Sequence, residues 1–253
     1  MYNTCPKCGH TRQPGETPDS ATCPACGLVF AKWMKHRFHA GGPSATDRTG
    51  VGGRWRRLRN TLLMPAPDSG RLEWSGRLLL WLLLAWLGWL TLVSRPEDMV
   101  TGSLAAPLQI LHRIDLVFHE AGHVVFRPLG NFLMVLGGSL LQVLLPAVVA
   151  GTFLLRHHNP FGASVGLWWT GQNLADVAVY IGDARALRLP LLGGGTGADR
   201  PGMHDWHNIL GRLGWLDDDR ALAGATDVLG ITLIGVALAW GAALLWRHHQ
   251  ALR

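Results

Sequence analysis

Leu104-Ala-Ala-Pro-Leu-Gln-Ile-Leu-His112-Arg113-Ile-Asp115-Leu-Val-Phe-His119-Glu120-Ala121-Gly122-His123-Val-Val-Phe126 is an apolar segment broken by six ionisable residues. Its last turns read H-E-x-x-H. On a helix, positions i and i+4 lie on one face, about 40° apart. His119 and His123 can therefore share one Zn²⁺, while Glu120, about 100° round from His119 and 60° from His123, can take a proton from a water at the metal without ligating it. The alternative is a chance match, with both imidazoles satisfied inside a helix bundle. Ionisable groups are costly in a membrane, which weighs against that. His112, Asp115, His119 and His123 follow i, i+3, i+7, i+11, so they form one stripe that should face the bundle interior or a water-filled cavity. Asp115 either orients the His119 ring or pairs with Arg113 or His112.

The rest of the composition places this helix in a bilayer. Of 253 residues, 48% are hydrophobic, 16% are charged and 12 are Trp, which excludes an ordinary soluble domain. Long uncharged runs predict an all-α polytopic membrane protein of about five spans. The first is Leu78 to Ser94, bracketed by Arg77 and Arg95. The second carries H-E-x-x-H, and Pro128 ends it. The third fits in Pro128 to Leu155, where Gly137, Gly138 and Ser139 would admit a close neighbour. Gln142 there serves either the metal site or the helix–helix contact. The fourth starts after Pro160 and ends near Arg185, and the fifth is Val228 to Trp246. Trp81, Trp86 and Trp89 read as lipid-facing or interfacial rather than as a ligand box.

The four cysteines read Cys5-Pro-Lys-Cys8-Gly and Cys23-Pro-Ala-Cys26-Gly. Two C-x-x-C pairs at this spacing predict a Cys₄ zinc site, closed and structural because no ligand position is left for substrate. Disulfides are disfavoured because the polar first 20 residues carry no export signal. Residues 1–35 resemble the zinc-ribbon family, which implies a small β-rich fold held by the metal and a role in binding. Residues 36–76 read as a basic linker. Its Arg54-Trp55-Arg56-Arg57-Leu58-Arg59 is either a short interfacial helix or a disordered tether. A basic cluster beside a membrane helix sets orientation rather than binding nucleic acid, so none is expected as a partner. This predicts a multi-pass protein of a bacterial inner membrane with the N-terminus in the cytoplasm.

The third ligand of the membrane site has to come from a later segment. Asn173, Asp176, Tyr180 and Asp183 form a second stripe. Asp176 lies deep in an uncharged run and needs a cation or metal, which makes it the expected ligand. Asp183, two turns on, is the competitor, although a solvated pairing near Arg185 and Arg188 also explains it. In the polar loop 189–226, Gly193-Gly194-Gly195-Thr196-Gly197 lacks the Lys of a phosphate loop. His204-Asp205-Trp206-His207-Asn208 either folds over the site, supplies a ligand, or is plain surface.

Residues 77–253, from about 78 to 246 in particular, resemble the site-2 protease family of intramembrane zinc metalloproteases. The likeness rests on His119-Glu120-Ala121-Gly122-His123 in a membrane helix and an Asp from a later one. It implies zinc-assisted hydrolysis of a membrane protein substrate, with His119 and His123 as ligands and Glu120 as base. The family usually draws its Asp from an Asp-Gly pair with an Asn upstream. This chain has Asn173-Leu-Ala-Asp176 and Gly182-Asp183 instead. Two metals are expected: one catalytic zinc on His119, His123 and Asp176, and one structural zinc on Cys5, Cys8, Cys23 and Cys26. Asp115, Asn173, Asp183 and His204 are supporting residues or alternative ligands. The rival is a non-enzymatic membrane scaffold whose ribbon recruits a protein partner. An active site leaves the metal an open position, whereas a structural one is closed by a fourth ligand, for which His204 or Asp183 would serve.

Overall fold

The computed structural model describes residues 4–11, 21–30, 61–63, 70–94, 106–200 and 202–253. The chain divides into two compact units, Met1–Leu58 and Arg59–Arg253.

The larger unit is helical. The first apolar run extends N-terminally, because Glu73 stands in the first turn and pairs with Arg77 one turn on, as a helix N-terminus favours. Helix α1 therefore spans Arg71–Val93 and begins well before Leu78. It is followed by α2 (Ala106–Phe126), α3 (Asn131–Leu155), α4 (Pro160–Gly182), the short α5 (Asp205–Leu213) and α6 (Asp219–Ala251). Among the described residues three helical stretches, Arg71–Val93, Asn131–Leu155 and Leu216–Ala251, are long and apolar enough to cross a membrane. The last is longer than the expected 228–246, since the loop before it is itself partly helical.

Helix α4 is the centre. It packs between α3 and α6, with α2 on α3 and α1 on α6. Its polar residues are tolerated because protein, not lipid, surrounds them: Gln172, Asn173 and Asp176 are all buried. The main apolar cluster joins Leu84 and Leu87 of α1, Leu108 of α2, Trp168 and Val179 of α4, and Ile234 and Ala237 of α6. Leu79, Val117, Val124, Val148 and Val228 face outwards, as lipid-facing side chains do. Trp86 and Trp89 are exposed as expected. Trp81 instead pins α1 to α6, its Nε1 donating to Leu238 O at 2.9 Å.

Helices α2 and α3 form a tight antiparallel pair across the turn Arg127–Leu129 and Gly130. Gly122 and Gly137 set their separation. A Cβ on Gly122 would lie 2.1 Å from Gly137 O, so the backbones touch directly.

In the smaller unit each C-x-x-C forms a knuckle. The Cys5 and Cys23 N–H groups donate to His10 O and Leu28 O, both at 2.8 Å. Gly9 and Gly27 complete the knuckles at φ of 73° and 67°, a region that favours glycine. Thr4 pairs with Thr11 and Thr22 with Val29 as isolated bridges. Among the described residues there is no strand, so the expected β-rich fold appears here only as these two paired knuckles. The linker reading over Arg54–Arg59 lies outside the described residues.

Candidate metal centre

The stripe on α2 faces inwards at both ends: His112 and Asp115 are buried, and His119 and His123 are half-buried. Both ligand candidates have their Nδ1 occupied. His123 Nδ1 lies 2.9 Å from Met134 O, and His119 Nδ1 lies 3.0 Å from Gln142 Oε1. A carbonyl oxygen only accepts, so each Nδ1 carries the hydrogen and each Nε2 turns its lone pair to the site.

The third member is Asp205, not Asp176. Asp205 Oδ2 lies 3.0 Å from His119 Nε2 and 3.2 Å from His123 Nε2. Ligand atoms on a tetrahedral zinc stand about 3.3 Å apart, given metal bonds of about 2.0–2.1 Å. The three residues can hold a metal ion, with their ligand atoms all within 4.8 Å of one another. Gly138 of α3 faces the same point. A Cβ there would lie 2.6 Å from His119 Nε2 and 2.7 Å from His123 Nε2, so the missing side chain leaves the room an ion needs. Glu120 is exposed on α2, next in sequence to His119 and one turn before His123.

Helix α5 carries Asp205 in its first turn, and three contacts seat it. His204 caps it, Nδ1 accepting from His207 N at 3.2 Å, and burial holds that imidazole below its ordinary value. Trp206 Nε1 donates to Ser139 Oγ of α3 at 3.1 Å. His207 Nδ1 donates to Ala184 O at 2.8 Å, just past the end of α4.

The other sequence candidates have different places. Asp176 accepts from His112 Nδ1 at 2.8 Å and from Gln142 Nε2 at 2.8 Å, so its lone pairs are engaged away from the ion position. Asp183 accepts from the N–H groups of Arg188 and Leu189, both at 3.0 Å, and lies 3.4 Å from His204 Nε2. It caps the turn after α4 and steadies the α5 cap. His204 is thus a helix cap, and neither it nor Asp183 closes the metal position. Asp115 takes Trp169 Nε1 at 2.9 Å and does not orient His119. Asn173 donates to Trp169 O at 2.9 Å. Among the described residues the cluster holds three ligands and no fourth.

The Cys₄ cluster also comes together. Cys5 and Cys26 Sγ are 3.8 Å apart, as are Cys8 and Cys23 Sγ. That is the edge of a tetrahedron with metal–sulfur bonds of about 2.3 Å, and far beyond a disulfide bond of about 2.05 Å. These four cysteines can hold a second metal ion.

No family model, curated protein or solved structure matches this chain. The likeness to site-2 proteases therefore rests on the residues and their context alone.

Proposed function

We propose that the chain is an intramembrane zinc metalloprotease that hydrolyses a peptide bond of a membrane protein substrate. One observation carries the reading: two imidazole Nε2 atoms and one carboxylate oxygen converge beside a glycine, with no fourth protein ligand among the described residues. Three protein ligands with an open position are the pattern of catalytic rather than structural zinc. Zinc held there would supply Lewis-acid chemistry, bringing the pKa of a water towards about 7 and polarising the scissile carbonyl. Glu120 takes the proton from the attacking water and passes it to the leaving amide nitrogen. Met134 O and the Gln142 amide keep both rings aimed, so little reorganisation is needed during turnover.

In this reading α2 and α4 also cross the bilayer, giving five spans, with α4 and the polar face of α2 shielded from lipid by their neighbours. The Cys₄ unit holds structural zinc and recruits the substrate or a regulator.

Glu120→Gln keeps the side-chain shape and removes the base. Turnover should fall by about 10²- to 10⁴-fold while metal and fold are retained. Membrane fractions of cells expressing wild type or the variant are compared by mapping new peptide N-termini. Cleavage products present with wild type and missing with E120Q support the proposal. Identical processing by a metal-loaded E120Q would sink it.

A further inference from the structure

A line of hydrogen bonds runs through the bundle behind the metal position. His112 Nδ1 is 2.8 Å from Asp176 Oδ1, Gln142 Nε2 is 2.8 Å from Asp176 Oδ2, and His119 Nδ1 is 3.0 Å from Gln142 Oε1. It crosses from α2 to α4, to α3 and back to α2. His112, Asp176 and Gln142 are 8%, 4% and 3% exposed, so water does not compete for these bonds. The mechanism above uses only the far end of the line.

The direction of each bond follows from what each group can do. A carboxylate only accepts, so His112 Nδ1 and Gln142 Nε2 must both donate to Asp176. That fixes the Gln142 amide, with N–H₂ towards Asp176 and the carbonyl oxygen towards His119. His119 must then carry its hydrogen on Nδ1. A primary amide turned end over end occupies almost the same space. Turned over, Gln142 would present N–H₂ to Nδ1 and drive the hydrogen onto Nε2, the atom that faces Asp205. His123 has no such weakness, because its partner is the Met134 backbone carbonyl, which has no donor end.

We propose that Asp176, steadied by His112, is a positioning residue for the metal site. It holds the Gln142 amide in one orientation, and through it locks His119 in the tautomer that ligates a divalent metal. The inference rests on the reading of His119, His123 and Asp205 as a metal site.

Asp176→Asn is nearly isosteric and adds a donor, so the reversed amide of Gln142 then fits. Full-length protein in detergent is titrated with Co²⁺, whose ligand-field band without thiolate charge transfer reports the core site separately from the Cys₄ site. D176N should bind 10- to 100-fold more weakly at that site, the usual effect of removing a group that orients a ligand. Adding Gln142→Glu moves the carboxylate one place along the line. The new amide donates to the new carboxylate, which still accepts from His119 Nδ1, and affinity should return to the wild-type range. Asp115→Asn, a change at a buried carboxylate outside the line, should leave it unaltered. Wild-type affinity in D176N overturns the proposal, and so does a loss that Q142E fails to repair. If wild type shows no non-thiolate Co²⁺ band, the metal site falls and this inference falls with it.

Discussion

A methyl group at position 138 would sit 2.6 Å from His119 Nε2, inside any real carbon–nitrogen contact. Gly138→Ala therefore sets two effects against each other. Alanine favours a helix interior over glycine by about 1 kcal/mol, which stabilises α3. The same methyl takes the space between the two imidazoles. Metal affinity at the core site should fall by about tenfold or more, the scale seen when ligand geometry is disturbed. Helix content measured by circular dichroism should hold. Undiminished metal binding by G138A would show that the ion does not sit against α3. In the sequence Gly138 is visible only as a small residue that would admit a neighbouring helix. Spacing reveals His119, Glu120 and His123 because the i, i+4 relation lies within one element. No local pattern reveals which residue of another helix faces them.

At the scale of elements, the third ligand is the instructive case. The demand of a buried carboxylate for a partner was sound, and Asp176 has one. The partner is an imidazole and an amide rather than a metal, because His112, two stripe positions before His119 on α2, reaches it. The carboxylate that joins His119 and His123 instead comes from α5, a nine-residue helix in what reads as a polar loop. Its signal was the density of His204-Asp205-Trp206-His207-Asn208, in which His204, Trp206 and His207 each make a separate tether and Asp205 faces the site. The cap is the tether to test. His204→Ala removes the side chain that accepts from His207 N and lies 3.4 Å from Asp183. Loss of such a cap costs about 0.5–2 kcal/mol, so affinity at the core site should drop about 2- to 30-fold as Asp205 loosens. Hydrogen exchange should speed up over 205–213 and stay slow in α4. Unchanged protection of α5 would mean that Trp206 and His207 seat it without the cap.

At the scale of the whole molecule, two units gather different donor sets, four thiols in one and two imidazoles with a carboxylate in the other. Four thiols come together where they could close a shell around one ion, and for such a shell binding energy is folding energy. Two imidazoles and one carboxylate offer three donors and no fourth among the described residues, in a unit whose helices pack through apolar contact. This asymmetry was legible in the sequence, since cysteine spacing and hydropathy both act locally. Helix packing around α4 was not legible, because it depends on glycine contacts and buried amides between elements. The asymmetry predicts a one-sided loss. Replacing Cys5 and Cys8 with Ser removes two of four soft ligands, too few remaining donors to hold the knuckles. Bound metal should fall from two ions to one per chain, and the protein should keep its helix content and the non-thiolate Co²⁺ band. Proteolysis should then cut within residues 1–35 while 70–253 stays protected in the membrane. The opposite result, loss of both ions and of helix content, would mean that the Cys₄ unit and the helical unit fold as one cooperative body.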